Sequence, residues 1–323
     1  MKKIYNYHKD TLTEIEIEQI LMKQYKEEFG NCSPSKDLDG MNHLKSSIRK
    51  ACEELSFIFE MTKLTKEIQI QPIQQKVVPE ILKITKTPYI SYLIKLLHQS
   101  DPYTAQHNIS VAILSGLLGK WLRLSEEHLR VLITGAVLHD IGKLCIPERI
   151  LNKPGRLTNE EFSVIKMHPI YGYHLLLNQQ KLQFDIPLIA LQHHERMDGS
   201  GYPYNLKGNE ITTYAKIVGV VDVFHAMASD RVYRKALPFY QIMDEMSKGS
   251  YGLLDMKITT VFIRGIMTSL IGEKVLLSTG KMGIILSVHQ SDPLLPLIKV
   301  QDTFIDLMKD RSIQISKIGL FDK

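Results

Sequence analysis

A histidine and an aspartate, side by side at the end of an apolar run, constrain this chain more than any other feature. Residues 131–143 read VLITGAVLHDIGK, so His139 and Asp140 follow a stretch with the texture of a buried helix. A helix that is apolar all round belongs in a core. A carboxylate carried into that core without a partner is costly, and a bound cation removes the cost. The chain must therefore fold so that something positive meets Asp140.

The same pattern recurs. His107 sits in TAQHNISVAILSGLLG, His168 in IKMHPIYGYH, His193 and His194 follow IPLIALQ, and Asp222 interrupts KIVGVVDVFHAMA. Neutral imidazoles and carboxylates are the donors that divalent transition metals prefer. Five histidines and two aspartates exceed one tetrahedral zinc and suit two six-coordinate ions sharing a bridging carboxylate and a water. Two ions about 3.5–4 Å apart are the usual device for hydrolysing phosphate esters. Of the 12 histidines, His8, His43, His98, His128 and His289 have ordinary contexts. His174 lies six residues after His168 and so faces away from it on a helix.

The texture divides the chain in three. Residues 1–98 are charge-rich with apolar residues at helical spacing, and read as a helical accessory or regulatory region. Residues 99–270 hold the unusual chemistry. Ser125, Thr158 with Glu161, Asp185, Thr212 or Thr213, and Asp255 are its expected helix starts. Residues 271–323 break into short β-prone runs with turns at Thr279-Gly280 and Asp292-Pro293, predicting a small β-rich extension. The expected class is mainly α: a helical bundle with a helical N-terminal region and that extension.

A net charge of +5 permits an anionic ligand without calling for a nucleic-acid groove. Cys32, Cys52 and Cys145 form no CxxC pair, which fits a reducing compartment. The N-terminus lacks the apolar core of a signal peptide, and no stretch reaches the length of a membrane span. A cytoplasmic protein is expected.

LHDIGK at 138–143 and HHERMDGSGYP at 193–203, with HPIYGYHLL at 168–176 and VVDVFHAMASDRVYRKA at 220–236, resemble the HD-GYP branch of the HD-domain phosphohydrolases. The resemblance implies an HD-type helical bundle and a metal-dependent phosphodiesterase acting on cyclic di-GMP. It would yield pGpG and GMP through a hydroxide bridging two ions, usually iron or manganese. It implies that His107, His139, Asp140 and Asp222 hold one ion and that His168, His193 and His194 complete a second, with Asp140 shared. Tyr103 stands where members with a third metal carry a glutamate, so two ions are expected. His225 and Lys216 replace the family's usual aspartate and arginine; His225 reads as a partner of the ligands or an extra ligand.

In this context Asp140 and Lys143 are the catalytic candidates, Lys143 as a point charge for the transition state. Tyr202, Gly201 and Pro203, with Lys143, Arg231 and Arg234, are the substrate-binding candidates. Gly199 and Gly201 would let backbone approach a ligand. Cys145 reads as packing. Partner classes are the cyclic dinucleotide, a second copy of the chain, and signalling proteins such as diguanylate cyclases. The alternatives are an HD hydrolase of another cyclic dinucleotide or phosphoester, and a sensor without catalysis.

Overall fold

A computed structural model describes residues 38–319, apart from 66, 99–104, 178, 180–181, 229–236 and 250–251. The first helix, α1 (Leu38–Thr65), buries Leu44, Ala51, Leu55 and Ile58 along one face. A short helix (Ile70–Pro72) passes through a π-helical turn (Ile73–Val77) into α2 (Val78–Ile84), and α3 (Ile90–His98) follows. The central helix is α4 (Ala105–Trp121), buried on nearly every face from His107 to Gly119. It packs against α1, α2, α5 (Glu126–Leu138), α9 (Thr213–Ala228) and α11 (Met256–Ser269). The bundle is completed by α6 (Asn159–Ile165), α7 (His168–Leu177), α8 (Asp185–Gln192) and α10 (Phe239–Gly249).

Local chemistry sets the helix starts. Ser125 accepts from the His128 N–H to begin α5, and Asp255 accepts from Ile258 to begin α11. Thr158 and Glu161 close a reciprocal capping box on α6. Asp185 behaves differently from expectation. It lies inside the first turn of α8, after Phe184, with no side-chain cap. There it favours the positive end of the helix dipole without satisfying an N–H.

Residues 274–318 form one antiparallel sheet in the order β4-β3-β2-β1-β5, from β1 (Lys274–Leu277), β2 (Met282–Ser287), β3 (Leu297–Val300), β4 (Thr303–Asp306) and β5 (Ile315–Ile318). β1 and β2 flank the expected Thr279-Gly280 turn, and Asp292-Pro293 lies between β2 and β3. One hydrophobic core runs from Leu44 in α1 to Ile318 in β5. Phe224, Phe239 and Phe262 pack edge to face where α9, α10 and α11 meet. The helices before residue 99 are part of that core, packed on α4 and α5. The protein is thus mainly α with a small C-terminal sheet. Among the described residues, no helix is long and apolar enough to cross a membrane.

Candidate metal centre

Helices α4, α5, α7, α8 and α9 each deliver a polar side chain to one buried point. Two donor groups form there. Asp140, His168, His193 and His194 make one; His107, His139 and Asp140 make the other, each drawn within 4.8 Å. Asp222 of α9 lies beside both, with Oδ1 3.4 Å from His107 Nε2 and Oδ2 3.9 Å from His194 Nδ1. All seven candidate ligands therefore converge.

Asp140 stands between the groups. Its Oδ2 faces His107 Nε2 at 3.5 Å and His139 Nε2 at 3.4 Å. Its Oδ1 faces His168 Nε2 at 3.2 Å and His193 Nε2 at 3.8 Å. The imidazoles are fixed from behind. Nδ1 of His139 donates to the Ala136 carbonyl at 2.8 Å, His168 to Ile165 at 2.8 Å, and His193 to Ala190 at 3.0 Å. An Nδ1–H committed to a carbonyl leaves the neutral ring with its lone pair on Nε2. Those lone pairs point at a carboxylate and at each other. His107 and His139 approach Nε2 to Nε2 at 3.3 Å, and His168 and His193 at 3.4 Å.

Acceptors facing acceptors in a dry pocket repel unless a cation lies among them. Asp140 Oδ1 is a buried side-chain atom with no hydrogen-bond partner, which is the deficit a cation fills. Burial, then the neighbouring imidazoles, holds His193 and His194 well below the ordinary histidine range. Burial also lowers His107. His139 moves the other way: burial opposes its charge, but Asp140 raises it overall. Burial works against ionisation of Asp140, yet Lys143, His139 and His107 hold its carboxyl well below the usual range. Imidazole nitrogens around an ionised carboxylate, with no thiolate in either donor group, fit a divalent metal.

The matching family decides the kinship. The HD domain model covers residues 91–258, which includes every one of these ligands. The chain belongs to the HD domain family. Among curated relatives, a cyclic di-GMP phosphodiesterase of Pseudomonas aeruginosa is 35% identical over 63% of this chain and 49% of its own length. The cyclic di-GMP phosphodiesterase response regulator RpfG of Xanthomonas campestris is 39% identical over 54% of this chain and 47% of its own. A 3'3'-cGAMP-specific phosphodiesterase of Vibrio cholerae is 33% identical over 50% and 35%. The chain spans about half the length, or less, of these relatives. An HDG"Y"P protein from Bdellovibrio bacteriovorus shares the fold, with a TM-score of 0.56 at 16% identity over 76% of this chain and 77% of that one. The motifs that resemble the HD-GYP branch all lie inside the matched HD segment.

The rest of the expected site falls into place unevenly. Lys143 Nζ lies 2.6 Å from Asp140 Oδ2, at the edge of the centre. Tyr202 stacks on the His194 ring at 4.6 Å, and Lys166 lies over its ring at 5.3 Å. Tyr202-Pro203 is a cis peptide. Gly201 is needed for a reason other than ligand approach: a Cβ there would lie 2.4 Å from the Arg196 nitrogen, so the loop folds against its own chain. Cys145 is exposed, not packed. Arg231, Arg234 and Tyr103 lie outside the described residues.

Sequence reasoning passed over Glu195. It is buried, and its carboxylate accepts from Tyr204 N–H at 2.7 Å and Leu206 N–H at 3.0 Å, closing the loop that carries Tyr202. A charged residue directly after two ligands was the available signal. His225 stands behind His107, with the two Nδ1 atoms 3.0 Å apart and sharing a hydrogen bond.

Proposed function

We propose that the chain is a metal-dependent phosphodiesterase that hydrolyses cyclic di-GMP, opening the ring to pGpG and cutting that further to GMP. The observation that carries this reading is the carboxylate of Asp140, which turns one oxygen to each histidine group. The names of the similar relatives supply the substrate class. The reading takes the protein to act in the cytoplasm, alone or with signalling partners.

His107, His139 and Asp222 with Asp140 would hold one ion, and His168, His193 and His194 with Asp140 a second. Iron or manganese suits this nitrogen and oxygen set. Bound ions would supply an activated water and neutralise charge on the phosphoryl oxygens. The chain's own residues do the remaining work. The carbonyls of Ala136, Ile165 and Ala190 hold three imidazoles in the ligating tautomer. Lys143 brings a positive charge beside Asp140, placed to offset charge that develops in the transition state. Tyr202, anchored by Gly201, Pro203 and Glu195, screens His194 and bounds the substrate side. Arg231 and Arg234 remain candidates for phosphate oxygens or guanine edges.

Anaerobically purified full chain, loaded with iron or manganese, is expected to hydrolyse cyclic di-GMP. The Vibrio cholerae relative's name favours one rival substrate, 3'3'-cGAMP. Turnover of 3'3'-cGAMP with none of cyclic di-GMP would replace the proposed substrate; turnover of neither would reject the phosphodiesterase.

A further inference from the structure

A cavity of about 600 Å³ opens beside the centre, and one of its walls comes from α1, outside the matched HD segment. Asp140 and Lys143 line it, as do Phe59, Glu60 and Lys63 of α1 and Pro147, Glu148 and Leu151. The volume lies within the range that holds a small organic ligand.

The charges at the α1 wall are informative. Lys63 lies 3.1 Å from Glu60 and 3.7 Å from Glu148. Two carboxylates share one ammonium, so an acceptor is left over. A phosphate would be repelled there. Apolar lining comes from the half-buried Phe59 and from Pro147 and Leu151. The chemistry that fits is a flat ring whose edge offers N–H donors.

We propose that the α1 wall is a base subsite selective for guanine. Phe59 covers the ring, and the Glu60 carboxylate accepts from the guanine N1–H and exocyclic amine. Two donors side by side match a carboxylate, as they do in bidentate pairs generally. Adenine presents an acceptor at N1, which the same carboxylate repels. The inference rests on the cyclic dinucleotide reading above, because the phosphate of such a ligand sits at Asp140 while a base reaches α1. It assigns part of substrate selection to a helix that carries none of the family's motifs.

The test compares wild type, Glu60→Gln and, as a control on the same helix remote from the cavity, Glu53→Gln. Manganese-loaded full chain is titrated with GMP and with AMP. Wild type and Glu53→Gln should bind GMP about tenfold tighter than AMP, and Glu60→Gln should narrow the gap to about twofold. In hydrolysis of cyclic di-GMP, Glu60→Gln should raise KM about tenfold with kcat little changed. Glu60 is exposed, so the variant keeps its fold, which thermal unfolding checks. An unchanged GMP preference in Glu60→Gln overturns the subsite, whether or not cyclic di-GMP is cut. A lost preference in a protein that cuts no cyclic di-GMP upholds the subsite and removes the proposed reaction instead.

Discussion

The two halves of the centre are built from the same residue types but held in different ways. Around Asp140 Oδ2, His107 and His139 project from α4 and from the end of α5, and both are backed inside the bundle, His107 by the buried imidazole of His225. Around Asp140 Oδ1, His193 and His194 end α8 and meet the loop bearing Tyr202, and His194 keeps 17% of its side chain exposed. Helices position both sets, but the second also borders a loop that Glu195 closes. One carboxylate thus joins a helix-enclosed set to one edged by a loop, a contrast that substitution and acid can break or sharpen.

Replacing the shared group should have the largest effect. Asp140→Ala should empty both halves, so metal content by elemental analysis and turnover fall to background together. Retained metal with lost turnover would mean that Asp140 acts chemically and does not bridge.

Gly142→Ala strikes the second half through its support. A Cβ there would lie 1.9 Å from the His168 carbonyl oxygen and 2.4 Å from the Gly172 nitrogen. Backbone cannot yield cheaply, and a destabilisation of about 3 kcal/mol is expected, at the upper end of overpacking costs. Denaturant unfolding measures it. The surviving folded protein should lose the second equivalent of metal before the first.

His225→Ala probes the first half alone. Removing a hydrogen-bond partner of a ligand typically weakens metal affinity about 10–100-fold. Competition with a chelator should show that loss for one ion of two. Equal weakening of both would mean the halves are not separately supported.

Acid should separate His139 from the lowered ligand candidates His107, His193 and His194. His193 and His194, lowered mainly by burial, bind fewer protons folded than unfolded. Their contribution is present above the unfolded value of about 6.5 and is lost as pH falls through it. The metal-free protein should therefore melt earlier as pH drops below that point. His193→Asn should flatten the slope. His139→Asn should not, because His139 is shifted upward.

The smallest effect tests local structure away from both halves. Thr158→Ala removes the α6 cap and should cost about 1 kcal/mol, with metal content unchanged.

Much of this was legible in the sequence because its causes are local. Ser125, Thr158 and Asp255 read as caps since a cap needs only the next turn of backbone. The seven candidate ligands stood out because burying imidazole and carboxylate is expensive wherever it occurs. What escaped depends on distant chain. Glu195 acts on Tyr204 and Leu206 across a loop. Asp185 read as a cap, yet it lies inside the first turn of α8, after Phe184. Cys145 lies next to buried Ile146 yet faces outward. The approach of α1 to Asp140 follows from helix packing, on which the spacing of residues 38–65 is silent.

The orphaned oxygen of Asp140 carries a further consequence for how the centre fills. A single anionic group with one face in each chamber cannot serve two guests independently. Whichever arrives first draws electron density away from the opposite face, so the later guest meets a poorer host. On the two-ion reading proposed above, occupancy should climb in two separated steps as free metal rises, and scarce metal would leave the protein half-filled.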